Sequence, residues 1–504
     1  MPFFSKYITK YVILFIIPLS IHAQSMNNEE IYIINSFSYN VDGKTQIYAI
    51  NYIDKISIGH EITGEDNLEK YIQDKTQLLL NERIFDSVTI EYIIGQPLDN
   101  EKIPVDLIIH VKDSANIIII PYPQYSSNDG LGISFKIRNY NFFGTMNPLK
   151  IDLGYQRDNE GYNTFAFLLE TNVPFYLLGH YWNFIFENEF HYRPDVKESF
   201  FYNNTTGLTL EFPIKNTTIT AGFIENFLLN DENKRRYWTG YGQFQEGFYM
   251  SSTPFISWEI PTGFEIFDLG EIIYTPQLSV TFIHEFQQFP IEWFRKGPYF
   301  EFTHNLEFSR INWIGNFRSG LSFNINNSVI YNLYKSQNDI QPWDTNLEIS
   351  GIWHSIINEN IGISTCLMYQ HWFFSDYHEE AGDVLRGILD KDLNANYMLS
   401  YNFEINFKVL EFRPSVWFDK NSFRYFNFDL HLVPIFAAAL YNDPVNDISF
   451  DIKNIILCGG FEFLIFPQMW RSFLLRASIA FGYHSSGFNN RLNREIYIGS
   501  DFHF

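Results

Sequence analysis

The chain holds only two cysteines in 504 residues, Cys366 and Cys458. That is too few for a disulfide scaffold or a cysteine-built zinc site. Both sit in strand-like runs, where a free thiol packs as a small apolar side chain. Basic residues are scarce as well: 35 Lys and Arg stand against 58 Asp and Glu, for a formal net charge of −23. A nucleic-acid partner requires a basic footprint that displaces counterions, so this partner class is excluded. Beyond the N-terminus no segment reaches the roughly 18 consecutive apolar residues of a spanning helix, so no transmembrane helix is expected. No activated serine sits in a recognisable motif, and the His-Glu-x-x-His pattern is missing. The sequence therefore points to no enzyme, no metal and no cofactor.

Aromatic residues, by contrast, are abundant. Phe (52), Tyr (32) and Trp (10) make up 19% of the chain, yet the mean hydropathy is only −0.15. Many aromatics at modest hydropathy is what alternating apolar and polar positions produce, and a transmembrane barrel averages that way. At the N-terminus, Lys6 and Lys10 flank the start of the run "YVILFIIPLSI", which is followed by "HAQ". A basic start, a short apolar run and the small Ala23 read as a signal peptide over residues 1–23.

Residues 24–114 read as a small α+β module in the order strand, helix, helix, strand, strand. Leu68, Tyr71, Ile72 and Leu79 share one helical face, and Glu65 and Asp66 begin that helix, where its dipole favours acids. "PYPQYSSNDG" is rich in turn formers, so residues 115–130 are expected to be a linker. From 131 to 504 the helical period gives way to period-2 alternation. In "NYMLSYNFEINF", Tyr397, Leu399, Tyr401, Phe403, Ile405 and Phe407 face one way; Asn396, Ser400, Asn402, Glu404 and Asn406 face the other. Many candidate strands run to about 9–11 residues, the length a tilted membrane strand needs. In lipid such strands have to close on themselves to pair their backbone groups. The expected fold is an all-β transmembrane barrel of about 16 antiparallel strands behind the α+β module. The last strand, "EIYIGSDFHF", ends with Phe502 and Phe504 on its outward face.

One stretch breaks the alternation. "GDVLRGILDKDLN" places Arg386 among acidic residues, with Gly382 and Gly387 on either side. The last five strands are read at about 396–407, 411–419, 454–465, 471–482 and 494–504. The links "KVLEF" and "PQMW" are tight, whereas 420–453 and 483–493 are long. Parity then places Arg386 in a long external loop. The nearby group His371, Asp376, His378, Glu379, Glu380 and Asp383 reads as a hydrated loop stem rather than an acid–base set or cation site.

The "VLRGI" loop, the "SVWFDKN" segment, the "DGKT" turn and the terminal aromatic together resemble the BamA/TamA/FhaC superfamily of outer-membrane assembly and secretion factors. Leu385 and Ile388 replace that family's usual Val and aromatic, and Asn421 stands where Gly is common. The resemblance implies a single POTRA-like periplasmic domain at 24–114 and a bacterial outer-membrane barrel whose C-terminal signal includes Phe502 and Phe504. It also implies that Arg386 folds into the lumen and pairs with Asp419. The implied function is assembly or insertion of outer-membrane proteins by strand addition at a seam between the first strand, near "GISFKIRNY", and the last. The same resemblance leaves open a two-partner-type secretion pore, or a channel or adhesin that retains the fold. Implied partners are the lipid bilayer and unfolded barrel or secreted polypeptides, with room for periplasmic or lipoprotein accessory factors.

Overall fold

A computed structural model describes residues 30–98, 102–195, 200–229, 248–266, 270–285, 297–373, 379–380, 382–389, 393–444, 447–484 and 493–499. The expected signal peptide, Phe502 and Phe504 lie outside these residues.

Six elements make the N-terminal domain: β1 (Ile31–Asp42), α1 (Ile47–Asp54), β2 (Glu61–Thr63), α2 (Glu65–Asn81), β3 (Phe85–Ile94) and β4 (Lys102–Asp113). The sheet order is β2-β1-β4-β3, with β1 and β4 parallel. The short β2, which the expected order of elements does not include, pairs with the start of β1. Helix α2 starts after Gly64 at φ 89°, carries Glu65 and Asp66 in its first turn, and buries Leu68, Ile72 and Leu79. Those side chains meet alternate residues of β4, Val105, Leu107 and Ile109, in one apolar core. Burying each contributes about 1.5–3 kcal/mol, which is what fixes the helices on one sheet face.

Behind this domain, 18 strands close into one barrel. The first are β5 (Ile117–Ser126), β6 (Gly130–Asn139), β7 (Leu149–Arg157), β8 (Asn163–Leu177), β9 (His180–Tyr192) and β10 (Phe200–Ile214). They continue as β11 (Thr217–Leu229), β12 (Phe248–Ile266), β13 (Gly270–Glu285), β14 (Tyr299–Ile314), β15 (Phe317–Asn332), β16 (Trp343–Asn358) and β17 (Ile361–Phe373). A separate two-stranded sheet pairs β18 (Glu379–Glu380) with β19 (Asn394–Ala395). The ring ends with β20 (Tyr397–Phe412), β21 (Phe428–Asn442), β22 (Ile456–Pro467), β23 (Leu475–His484) and β24 (Asn493–Gly499), and β24 meets β5.

Side chains alternate as a membrane barrel requires. In β6 Leu131, Ile133 and Phe135 are exposed on the outer face, while Gly130, Gly132 and Ser134 are buried. Charges lie inside and are paired, as with Arg138 and Asp152, or Lys150 and Glu170 at 2.7 Å. Cys366 and Cys458 are buried free thiols.

Three expectations need correction. The ring holds 18 strands rather than about 16. Residues 115–130 are not a linker: most of them form β5, so the strand expected to be first, β6, is the second. Pro121 and Pro123 each remove a ladder donor, which is tolerated in a strand at a sheet boundary. Residues 411–419 are not a strand either. Pro414 lacks an N–H and sits at the start of a single helical turn, Pro414–Trp417, just past the end of β20. The strand in question is β21, inside the stretch 420–453 taken as a link, so the parity that places the Arg386 loop is unchanged.

The N-terminal domain lies across one end of the barrel, touching turns spread around the ring. On the β6–β7 turn, the Gln46 N–H donates to Gly144 O at 2.9 Å, and Asn141 Nδ2 donates to Thr45 Oγ1 at 2.6 Å. Tyr48 OH donates to Pro174 O of β8 at 2.9 Å, and Tyr52 OH to Glu211 of β10 at 3.1 Å. The densest contact surrounds Arg83, just past α2 at φ 58°. Its guanidinium lies 4.2 Å from the centroid of the Trp313 ring and donates to Arg471 O at 2.5 Å and Asn316 Oδ1 at 3.2 Å. Burial, with Arg471 nearby, pushes its pKa down to about 10, so it remains a cation at neutral pH. Replacing Arg83 with Ala removes a cation–π contact and several hydrogen bonds, about 1–3 kcal/mol of docking. Amide hydrogen exchange is expected to rise at the Gly315–Asn316 and Arg471–Ser472 turns and to stay unchanged in the barrel strands between them.

Candidate functional site

The link between β17 and β20 lies at the end of the barrel opposite the N-terminal domain and folds back into the lumen. A 3-10 turn, Gly382–Val384, leads into Leu385, whose N–H donates to Gly382 O at 2.9 Å. Leu385 and Ile388 are buried against Met398 of β20, Ala437 and Ala439 of β21, and Ile456 and Cys458 of β22. The two alanines matter here, since larger inner-face side chains would fill the space the loop occupies. Gly387 has φ 101°, and a Cβ there would stand 2.7 Å from the Phe481 carbonyl carbon of β23. Gly482 is required in turn, because a Cβ at that position would meet Gly387 O at 2.6 Å. Backbone thus lies on backbone at a place where only glycine fits.

Arg386 is 4% exposed. Its Nη2 donates to Glu404 Oε1 of β20 at 2.5 Å, and its Nη1 lies 2.6 Å from Glu462 Oε1 of β22. Arg476 of β23 approaches the same Glu462 oxygen at 3.8 Å, and its guanidinium lies 4.1 Å from the centroid of the Tyr497 ring of β24. The Gly387 N–H donates to Glu495 Oε2 of β24 at 2.7 Å. A short loop therefore engages β20, β22, β23 and β24 together.

Asp419 does not pair with Arg386. It is exposed in the β20–β21 turn at φ 48°, on the rim beside the N-terminal domain, with the length of β20 between it and the loop. The role expected of Asp419 falls to Glu404 and Glu462. Glu404 was already on the inner face in the alternation of β20, and "GGFEFLIFP" marks Glu462 in the same way, as a lone acid between phenylalanines. In the rim group, His371 stacks on Phe373 at 3.6 Å, Glu379 and Glu380 form β18, and Asp376 and His378 lie outside the described residues.

Beside this network runs the junction of β24 and β5. Tyr497 pairs with Ser126 and Ile498 with Tyr125. Next to these pairs the Ser127 N–H donates to Ile496 O at 3.0 Å, and the Ser127 hydroxyl accepts from the Ile496 N–H at 2.9 Å.

No family model matches the chain, and no curated protein matches it significantly. Among solved structures it is similar to BamA from Haemophilus ducreyi lacking POTRA domains 1-3, at 13% identity and TM-score 0.40, covering 93% of this chain and 84% of that one. It is also similar to CdiB from Acinetobacter baumannii, at 11% identity and TM-score 0.49, covering 93% of this chain and 74% of that one. CdiB from Escherichia coli aligns at 9% identity and TM-score 0.42, covering 96% of this chain and 93% of that one. At these values the likeness is one of barrel architecture and carries no role across.

Arg386→Ala removes the nearest cation from two buried carboxylates and leaves Glu462 only the more distant Arg476, a change that costs about 3–5 kcal/mol. In urea titrations of the refolded barrel the midpoint is expected to fall, and adding Glu462→Gln to Arg386→Ala is expected to recover part of the loss. Equal loss in both variants would mean that the pair is not the source of the stability.

Proposed function

We propose that the chain is an outer-membrane assembly factor that inserts or translocates β-rich polypeptides by offering them a strand edge at the β24–β5 junction. The observation that carries this reading is the pair of prolines in β5: Pro121 and Pro123 share the parity of Ser127, whose N–H donates to Ile496 O at 3.0 Å, so β5 lacks two of the donors it would turn toward β24. A net hydrogen bond is worth about 1 kcal/mol, so the missing donors lower the cost of parting this junction. An opened edge presents unpaired N–H and C=O groups that accept an incoming strand with little demand on its sequence.

In this reading the N-terminal α+β domain is a single POTRA-like module in the periplasm, which places the Arg386 loop on the external side. The work is mechanical and templating, with no bond chemistry assigned to any residue. The loop holds the wall next to the junction in place while the junction itself parts.

The test is a disulfide across the junction. With Tyr125→Cys and Ile498→Cys, the oxidised protein is expected to lose the ability to speed insertion of an unfolded barrel into liposomes, and reductant is expected to restore it. Oxidised protein as active as reduced protein would overturn the seam mechanism. No acceleration in either state, together with a steady ion conductance, would favour a channel.

A further inference from the structure

The turn between β20 and β21 is long, 413–427, and its surface is apolar where a turn is ordinarily polar. Val416, Trp417, Phe418, Tyr425 and Phe426 are each at least half exposed. They do not flop as singles. Phe412 packs edge-on against Trp417 at 4.9 Å and stacks on Phe428 at 4.9 Å, and Phe418 meets Phe423 at 5.3 Å. Trp470 of the β22–β23 turn joins Tyr425 at 6.2 Å.

The direction of this face is set by the residues beneath it. Arg413 bonds Asp429 on the inner side of β21 and donates to Phe428 O at 2.7 Å, so the polar staples of the turn point toward the lumen. A register shift between Lys408 and Leu410 puts a bulge at the end of β20. Because of it, Val409 and Leu410 are both exposed, which plain alternation forbids. The apolar surface is therefore continuous with the outward face of the barrel. The turn lies on the N-terminal domain's side, since Asn427 O accepts from Gln468 N–H at 2.9 Å and that next turn holds Arg83.

In a chain with 23 more acidic than basic residues, two exposed cations, Lys420 and Arg424, stand within this patch; of the acids in the segment, Asp419 lies beside them and Glu411 is paired with Lys408. Aromatic rings with flanking Lys and Arg match the membrane interface, where rings sit at headgroup level and cations reach phosphate.

We propose that residues 409–426 are an interfacial anchor. The apolar side chains lie in the leaflet on the N-terminal domain's side, and Lys420 and Arg424 bind anionic phospholipid headgroups. The occupant is lipid rather than a protein because the patch runs without a break into the barrel's outward surface.

The full chain with Val416→Cys, labelled with bimane, tests this, because the native thiols are buried and react little; Tyr425→Cys provides a second position, and heat-modifiable gel mobility confirms folding. In vesicles of phosphatidylethanolamine and phosphatidylglycerol, phospholipid with brominated chains is expected to quench the label about twofold, and aqueous iodide to quench it little. Replacing phosphatidylglycerol with phosphatidylcholine, or introducing Lys420→Ala with Arg424→Ala, is expected to reduce the lipid quenching. Quenching by iodide and not by brominated lipid at both positions would overturn the proposal and leave a water-facing surface suited to a protein partner. Lipid quenching that ignores both headgroup charge and the two cations would overturn the headgroup assignment.

Discussion

A guanidinium away from bulk water has to be matched by carboxylate, and the way Arg386 meets that demand organises one wall of this barrel. Its two partners lie on β20 and β22, so satisfying the cation fixes β21 between them. It also draws the loop inward, since Arg386 reaches Glu404 and Glu462 only when Leu385 and Ile388 have replaced water over Ala437 and Ala439. The ionic contact and the apolar burial then hold one another in place. Neither alone would order a link of this length, because an unpaired charge opposes burial and a short apolar segment buries too little surface.

From that point the contacts run toward the junction. Glu462 also faces Arg476, whose guanidinium covers Tyr497, and Tyr497 is one of the residues paired across to β5. The Gly387 N–H reaches Glu495 on the same strand. The junction of the first and last strands is therefore flanked by a cross-braced segment. Such an arrangement lets one ladder part without unravelling the strands beside it. At the opposite end the N-terminal domain is fastened by Arg83 and the turns around the ring, so both openings of the lumen are occupied.

Much of this was legible in the sequence, for physical reasons. Period-2 alternation alone puts Glu404 inside, because a wall with lipid on one side leaves no other place for a charge. Arg386 stood out because it interrupts that alternation between glycines. The partner strand was not legible. β21 carries Pro434 and the run Ala437-Ala438-Ala439, which read as weak strand, while "SVWF" reads as strong strand and is a helical turn. The alanines are small because the loop fills the space over them, a tertiary reason that local preference does not contain. β5 was missed in the same way: its prolines signal a linker unless the strand is known to sit where the barrel closes.

The central claim is that the lumenal arginine braces the strands beside the junction, and amide hydrogen exchange on the reconstituted barrel tests it most directly. In Arg386→Ala, exchange is expected to quicken at Glu495–Ile498 and at Gln124–Ser126 while β10 and β11 keep their protection. Unchanged exchange at the junction, or an equal rise around the whole ring, would contradict the claim and reduce the loop to a plug.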